Sequence, residues 1–310
     1  MTPVKKKPSD FELVVRGTRG SYPVSGKDYV KYGGSTTCFE IHAGNCLIII
    51  DAGTGIIDSG NDLMKSKKPI EAILLFTHTH IDHIQGLPFF LPIFLGDTVL
   101  YVYGPDIYGH KFEDALNVVL NPPLFPITVD DMQALKLFRT ITPAESIFWS
   151  GELGIPVVIN NMRETDRRDE LRKKYPVEIT CMKSYAHPIA GVHVYKITYK
   201  DKSIVIATDT EGYVDHDTRL INFAKGADLL LHDAGYTSEV YSSSRNCKQG
   251  YGHSTLNMAV GVAKKAKVKQ LALIHHEPAN DDSIVAEEEK KARKLFPAVC
   301  SAYQGQLFRL

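Results

Sequence analysis

The chain is poor in cysteine chemistry. Its five cysteines (Cys38, Cys46, Cys181, Cys247 and Cys300) are scattered, odd in number and never spaced as C-x-x-C. That pattern excludes a disulfide-stapled scaffold and a zinc–thiolate cluster, and it fits a reducing compartment, the cytoplasm. Net charge is missing too. The 36 acidic residues balance 36 basic ones, so no global basic field calls for long duplex nucleic acid, although a local patch is compatible with this balance. Apolar runs are too short or too interrupted to span a bilayer. Met1 to Asp10 is polar and Lys-rich without an apolar centre, so it reads as neither signal peptide nor membrane anchor. What remains is a soluble chain of 310 residues, long enough to bury a substantial core.

The chain is rich in clustered imidazole. Thr77-His78-Thr79-His80-Ile81-Asp82-His83 follows the apolar run Ala72 to Phe76, a short buried strand, and so places its side chains where α/β sheets carry their sites. An isolated histidine is usually a core or surface residue. Four ligand-type side chains in the six positions 78–83 are not isolated. His78 and His80, two apart in extended backbone, point the same way, while Asp82 and His83 begin a turn and can face a second ion. Imidazole with carboxylate suits a borderline divalent metal.

Strands are expected at Phe11 to Arg16, Thr37 to Ile41, Cys46 to Ile50 and Val99 to Tyr103, with a hairpin turn at Asn45 and a helix over Ile56 to Lys65. Two further helices are expected at Phe112 to Leu120 and Asp130 to Leu137, the second opening on paired aspartates. Arg163 to Lys174 alternates charge sign, which ordinarily marks a solvated helical face. Strands then return at Val177 to Met182, Val192 to Tyr199, Ser203 to Ala207, Asp228 to Leu231, Gln270 to Ile274 and Gln306 to Leu310. Helices fall at Thr218 to Lys225, at Thr255 to Lys265 behind a Ser254 cap, and at Ile284 to Phe296. The expected organisation is a polar tail over 1–10 and one domain over 11–310, with an insertion at about 111–179.

Later apolar strands also end in ligand-type residues. His187 precedes Pro188, Asp209 closes Ile204 to Thr208, and His275-His276 follows Leu271 to Ile274. Each alone could be a loop residue; their recurrence in one local context argues for a shared site. A bridging carboxylate is needed to hold two cations roughly 3.5–4 Å apart, and Asp209 is the natural candidate.

In type and order, His78-x-His80-x-Asp82-His83, His187, Asp209 and His275 resemble the signature of the metallo-β-lactamase superfamily over nearly the whole chain, Gly17 to Leu310. The resemblance implies an α/β fold, a four-layer αββα sandwich with the metals at its edge. It also implies two divalent ions, zinc by default because histidines dominate, with manganese as the alternative given the carboxylates. His78, His80 and His187 would hold one ion and Asp82, His83 and His275 the other, with Asp209 shared. At the last position His275 is preferred to His276 because it directly follows the strand.

Leu230-Leu231-His232-Asp233-Ala234 and Gly252-His253-Ser254-Thr255 are similar to the branch containing tRNase Z and cyclic-nucleotide phosphodiesterase-like proteins. In that branch the residue matching His253 assists the leaving oxygen, so His253 and Asp82 are the catalytic candidates. Asp51, His232 and Asp233 read either as supports for ligand side chains or as turn and strand-end residues. His275-His276-Glu277-Pro278 fits the cyclic-nucleotide subgroup better than tRNase Z, and no basic Gly/Pro-rich arm is apparent. The expected substrate is therefore a small phosphodiester or nucleotide, with extended nucleic acid disfavoured and no membrane partner. The 111–179 segment would cap the site, form a homodimer contact or merely elaborate the surface. Alternatives are a tRNA 3′-processing endonuclease, a thioester hydrolase of the same fold and a non-catalytic metal-binding scaffold.

Overall fold

Residues 10–107, 109–151, 154–188, 190–213 and 215–310 are described by a computed structural model; all but Asp10 of the expected polar tail lies outside them. The first half supplies β1 (Phe11–Gly17), β2 (Cys38–Ala43), β3 (Cys46–Ile50), α1 (Ile56–Met64), β4 (Glu71–Leu75), α2 (Ile81–Ile84) and β5 (Val99–Gly104). A small hairpin, β6 (Asp106–Ile107) and β7 (His110–Lys111), leads into α3 (Phe112–Val119) and then β8 (Leu135–Thr140). After β9 (Glu145–Trp149), β10 (Val157–Asn160) and α4 (Thr165–Lys174) come β11 (Val177–Ser184), β12 (Val192–Tyr199), β13 (Lys202–Ala207) and α5 (Thr218–Phe223). The chain closes with β14 (Leu229–Asp233), α6 (Ser238–Tyr241), α7 (Leu256–Ala266), β15 (Leu271–Ile274), α8 (Asp282–Leu295), β16 (Val299–Ser301) and β17 (Leu307–Arg309).

Two large sheets result, in the orders β17-β1-β2-β3-β4-β5-β8 and β10-β9-β11-β12-β13-β14-β15-β16. Each joins an antiparallel half to a parallel half: β3, β4, β5 and β8 run parallel in one, and β13 to β16 in the other. Burial explains the layering. In β3, Cys46, Ile48 and Ile50 face the core between the sheets, while Leu47 and Ile49 face an outer cluster with α1 and α3. Such an all-apolar run is what a strand covered on both faces requires. The second sheet buries Val194, Val205, Ala207 and Leu230 beneath α5, α7 and α8. The order of layers is α/β/β/α.

The segment 111–179 is woven into this frame. β8 extends the first sheet, β9 and β10 extend the second, and α4 seals its edge with Leu171 against Phe148 and Ile159. The helix expected over Asp130 to Leu137 does not form. Asp131 instead accepts hydrogen bonds from the Thr128 amide and hydroxyl, both at 2.8 Å, in a turn. Leu135–Thr140 then pairs in register with β5, a partner distant in sequence that overrides local helical preference. Ser254 is not a helix cap either: its hydroxyl donates to the Thr210 carbonyl at 2.6 Å, and Thr255 takes the cap position. Among the described residues, no helix is long and apolar enough to cross a membrane.

Candidate metal centre

The ends of β3, β4, β11, β13, β14 and β15 open on one edge of the sandwich, where Asp51, the His78–His83 segment, His187, Asp209, Asp233 and His275 leave their strands. Three of these side chains require unusual backbone. Asp51, Asp209 and His275 have φ of 60°, 53° and 61°, left-handed values that cost an L-residue about 1–2 kcal/mol each. Strain of this kind concentrates at sites whose surroundings over-determine the conformation.

Among the described residues, four overlapping groups have ligand atoms within 4.8 Å of one another: His78, His80 and His187; Asp82, His83, Asp209 and His275; and two that bring in His253, with His187 and Asp209 and with Asp233 and His275. His187 Nε2 lies 3.0 Å from His80 Nδ1. His275 Nε2 lies 3.2 Å from Asp209 Oδ1 and 3.4 Å from Asp82 Oδ2, and His83 Nε2 lies 3.2 Å from Asp209 Oδ2. His78 Nε2 is 3.8 Å from Asp209 Oδ1, so Asp209 stands between the first two groups. His276 turns away; its Nε2 meets the Ala302 carbonyl at 3.0 Å.

Neighbouring groups aim these rings. The buried Asp51 carboxylate accepts from the Thr77 amide and hydroxyl, both at 2.8 Å, and from His83 Nδ1 at 2.8 Å. It is thus a turn residue and a support at once. Asp82 Oδ2 accepts from the Ser21 amide at 2.8 Å. Asp233 accepts from the Gly235 and Ser254 amides and holds His253 Nδ1 at 2.7 Å. His253 stacks on His275 with ring centroids 4.7 Å apart. His232, by contrast, pairs with the Asp233 carbonyl at 2.7 Å and stays outside the cluster.

Glu211 was not foreseen. Its carboxylate accepts from the Gly250 and Gly252 amides at 2.8 and 2.9 Å and from the Tyr241 hydroxyl at 2.7 Å. This shapes the loop against His187, where Gly252, at φ +90°, leaves no room for a Cβ beside the imidazole. Gly20 gives the same clearance over His275. Nothing in the chain around Glu211 signals this role, because its partners lie about 30 to 41 positions away.

The electrostatics split along the same lines. Burial drives His78 well below the ordinary imidazole value and His187 down to about 4. Burial also opposes charge on His83 and His275, but Asp209 and Asp82 with Asp51 beside His83, and Asp209, Asp82 and Asp233 around His275, hold both well above it. Asp209 is held well below the carboxylate range, its burial outweighed by His275, His83 and His78.

A divalent ion fits this donor set. The Nε2 atoms of His78, His83 and His275 are buried and make no hydrogen bond, a condition costing about 1–3 kcal/mol per group unless another partner satisfies it. All three face the Asp209 carboxylate, and imidazole plus carboxylate suits a borderline divalent ion.

Residues 47–276 match the beta-lactamase superfamily domain. The chain is 27% identical to ribonuclease Z of Thermococcus sibiricus over 86% of this chain and 87% of that protein. It is also 27% identical to ribonuclease Z of Bacillus subtilis, over 76% and 80%. Among solved structures, the metallo-β-lactamase fold protein YhfI from Bacillus subtilis superposes with a TM-score of 0.66 at 19% identity, covering 97% of this chain and 99% of its own. The curated relatives carry the name of an RNA-cleaving enzyme, which lends no support to the small-substrate preference read from the motifs.

Proposed function

The chain belongs to the metallo-β-lactamase superfamily of hydrolases, and from that premise we propose that it is a dinuclear-metal phosphodiesterase whose substrate is RNA. The observation that carries this reading is the convergence on Asp209 of two ligand groups from distant strand ends. His78, His80 and His187 would hold one ion, Asp82, His83 and His275 the second, and Asp209 would be shared. Zinc is the expected metal, with manganese as the alternative. When bound, such a pair supplies Lewis acidity and neutralises charge at a phosphodiester.

The remaining chemistry belongs to the chain. Asp51 fixes the His83 ring through Nδ1, leaving Nε2 directed at the cluster. Asp233 takes His253 Nδ1, so a proton carried on Nε2 can be given to the departing oxygen. His253 is half-buried where most of the cluster is buried, consistent with a group that meets substrate. The ribonuclease Z relatives favour RNA. The unpaired cysteines fit a cytoplasmic setting.

A second reading, hydrolysis of cyclic nucleotides or other small phosphodiesters, is favoured by the segment 111–179, whose described strands and α4 lie along the sheets. In the decisive experiment, Asp209→Ala should lose hydrolysis of bis(p-nitrophenyl) phosphate together with bound metal; unchanged turnover rejects the site. Incubation of the wild type with a precursor tRNA and with cyclic mono- and dinucleotides separates the two readings.

A further inference from the structure

The outer face of the second sheet is covered unevenly. Val194, Val205 and Leu230 lie beneath α5, α7 and α8, but Glu178, Thr180 and Met182 of β11 and Lys196 and Thr198 of β12 line an open cavity of about 1010 Å³. Its walls are basic. α4 contributes Arg168, Arg172, Lys173 and Lys174, and the β12–β13 hairpin contributes Lys196, Lys200 and Lys202. Against these seven cations the lining carries two acids, Glu178 and Asp201. Glu178 is shared by two guanidinium groups, Arg168 at 2.6 Å and Arg172 at 2.9 Å, while Lys200 pairs with Asp10 at 3.3 Å and Lys202 with Asp228 at 3.5 Å, so Lys173, Lys174 and Lys196 carry the excess of positive charge. In a chain with no net charge, this concentration is local. The alternating charges of α4 are thus more than a solvated face: their basic end is turned toward an uncovered stretch of sheet.

The cavity continues toward the end of β11, from which the chain runs on to His187. A second groove shares Pro143, Met182, Asn222 and Phe223 with it and reaches Tyr185, two residues before His187. Tyr185 is 65% exposed, with Lys183 Nζ 5.7 Å and the Arg219 guanidinium 5.2 Å from its ring. An exposed aromatic flanked by cations, at the end of a basic groove, is the pattern that tracks a single strand, with phosphates on the charges and a base on the ring.

We propose that this groove is the path by which RNA approaches the metal centre, with its backbone phosphates between α4 and the β12–β13 hairpin and a base stacked on Tyr185. The inference rests on the phosphodiesterase reading above and adds where the substrate lies. RNA is favoured over a free nucleotide because the cations are strung along a helix and a hairpin instead of converging on one point, and because two grooves join end to end.

The test is fluorescence anisotropy of the full-length protein with a fluorescein-labelled single-stranded RNA of 20 nucleotides, titrated at several salt concentrations, beside bis(p-nitrophenyl) phosphate hydrolysis. Wild-type affinity should fall with salt, with a slope of about −0.7 per phosphate neutralised. K173Q/K174Q, both exposed, should weaken binding about tenfold and flatten the slope by roughly 1.4, about 0.7 for each charge, and Tyr185→Ala should weaken it roughly fivefold or more. Lys196→Gln probes the cavity floor, and the exposed pair keeps the test valid if that variant folds poorly. None should change bis(p-nitrophenyl) phosphate turnover. Unaltered RNA affinity in the variants overturns the path, as does displacement of the RNA by equimolar AMP, which marks a nucleotide pocket. A protein that binds RNA through these residues but never cleaves bis(p-nitrophenyl) phosphate refutes the hydrolase reading and leaves the path standing. One that cleaves the small diester yet shows salt-independent RNA binding refutes the path alone.

Discussion

The two ligand groups meet at Asp209 but are supported by different chemistry. In the imidazole trio, His78 Nδ1 lies 3.1 Å from the Thr77 hydroxyl and His187 Nδ1 3.3 Å from the Gly252 carbonyl, while His80 is exposed. Neutral dipoles make the direct contacts, with Asp51 one step behind through the Thr77 hydroxyl. In the quartet, His83 rests on the Asp51 carboxylate at 2.8 Å, and His275 Nδ1 lies 3.8 Å from that of Asp233. A carboxylate hydrogen bond aims His83 directly, while Asp233 acts on His275 only through its charge, and carboxylate-backed imidazoles are the more basic and better fixed donors. The quartet is therefore the more preorganised half, and the trio depends on how its loops are held.

His253 touches both halves without being needed to build either, so its removal gives the largest change that leaves both intact. His253→Ala should slow RNA cleavage by ~10²–10⁴-fold, with bis(p-nitrophenyl) phosphate, whose leaving group needs no proton, much less affected and metal content unchanged; equal slowing of both substrates removes the proposed acid. Asp51→Asn should weaken one of two metal equivalents by about 10–100-fold in a chelator competition titration, and the other by less, through the Thr77 hydroxyl that links Asp51 to His78. If both equivalents weaken alike, the distinction between the halves is lost. Glu211→Gln acts on the other half, through the Gly252 loop. Part of a charge-assisted set worth about 1.5–3 kcal/mol is removed at a distance from the ligand, so the expected loss is below about tenfold, confined to the equivalent that Asp51→Asn affects less.

The smallest effect on either half should come from Glu40, a buried carboxylate on β2 that accepts from Arg16 Nε at 2.8 Å and pairs with His42 Nε2 at 2.6 Å. Its burial is outweighed by His42 and Arg16, which bring it from an ordinary 4.5 down to about 2. Such a depressed carboxylate stabilises the fold fully above pH 4.5, and that contribution, on the order of 3 kcal/mol, disappears as pH falls toward 2. Urea melts of wild type and Glu40→Gln should therefore differ at pH 7 and converge at acid pH, with both metal equivalents retained at neutral pH.

Much of this was legible in the chain because its determinants are contiguous. The His78–His83 cluster, the buried runs Cys46–Ile50 and Val192–Tyr199, and the strand-then-ligand rhythm at Asp209 and His275 are each written in a few neighbouring residues. Periodicity and local ligand density need no tertiary partner to be read. Where the partner decides, the reading failed. Leu135–Thr140 became a strand only because β5 offers an edge, and β9, β10 and β16 went unseen.

By itself, then, the sequence determined the types and order of the candidate ligands, and its resemblance implied the layered α/β architecture that brings strand ends to one edge. Only the tertiary structure decided that His275 faces the cluster while His276 meets Ala302, that Glu211 braces His187 from across the loop, and that the basic end of α4 borders uncovered sheet. The reason is distance along the chain: each of these depends on a backbone conformation or a neighbour that residues far apart supply only once the two sheets have packed.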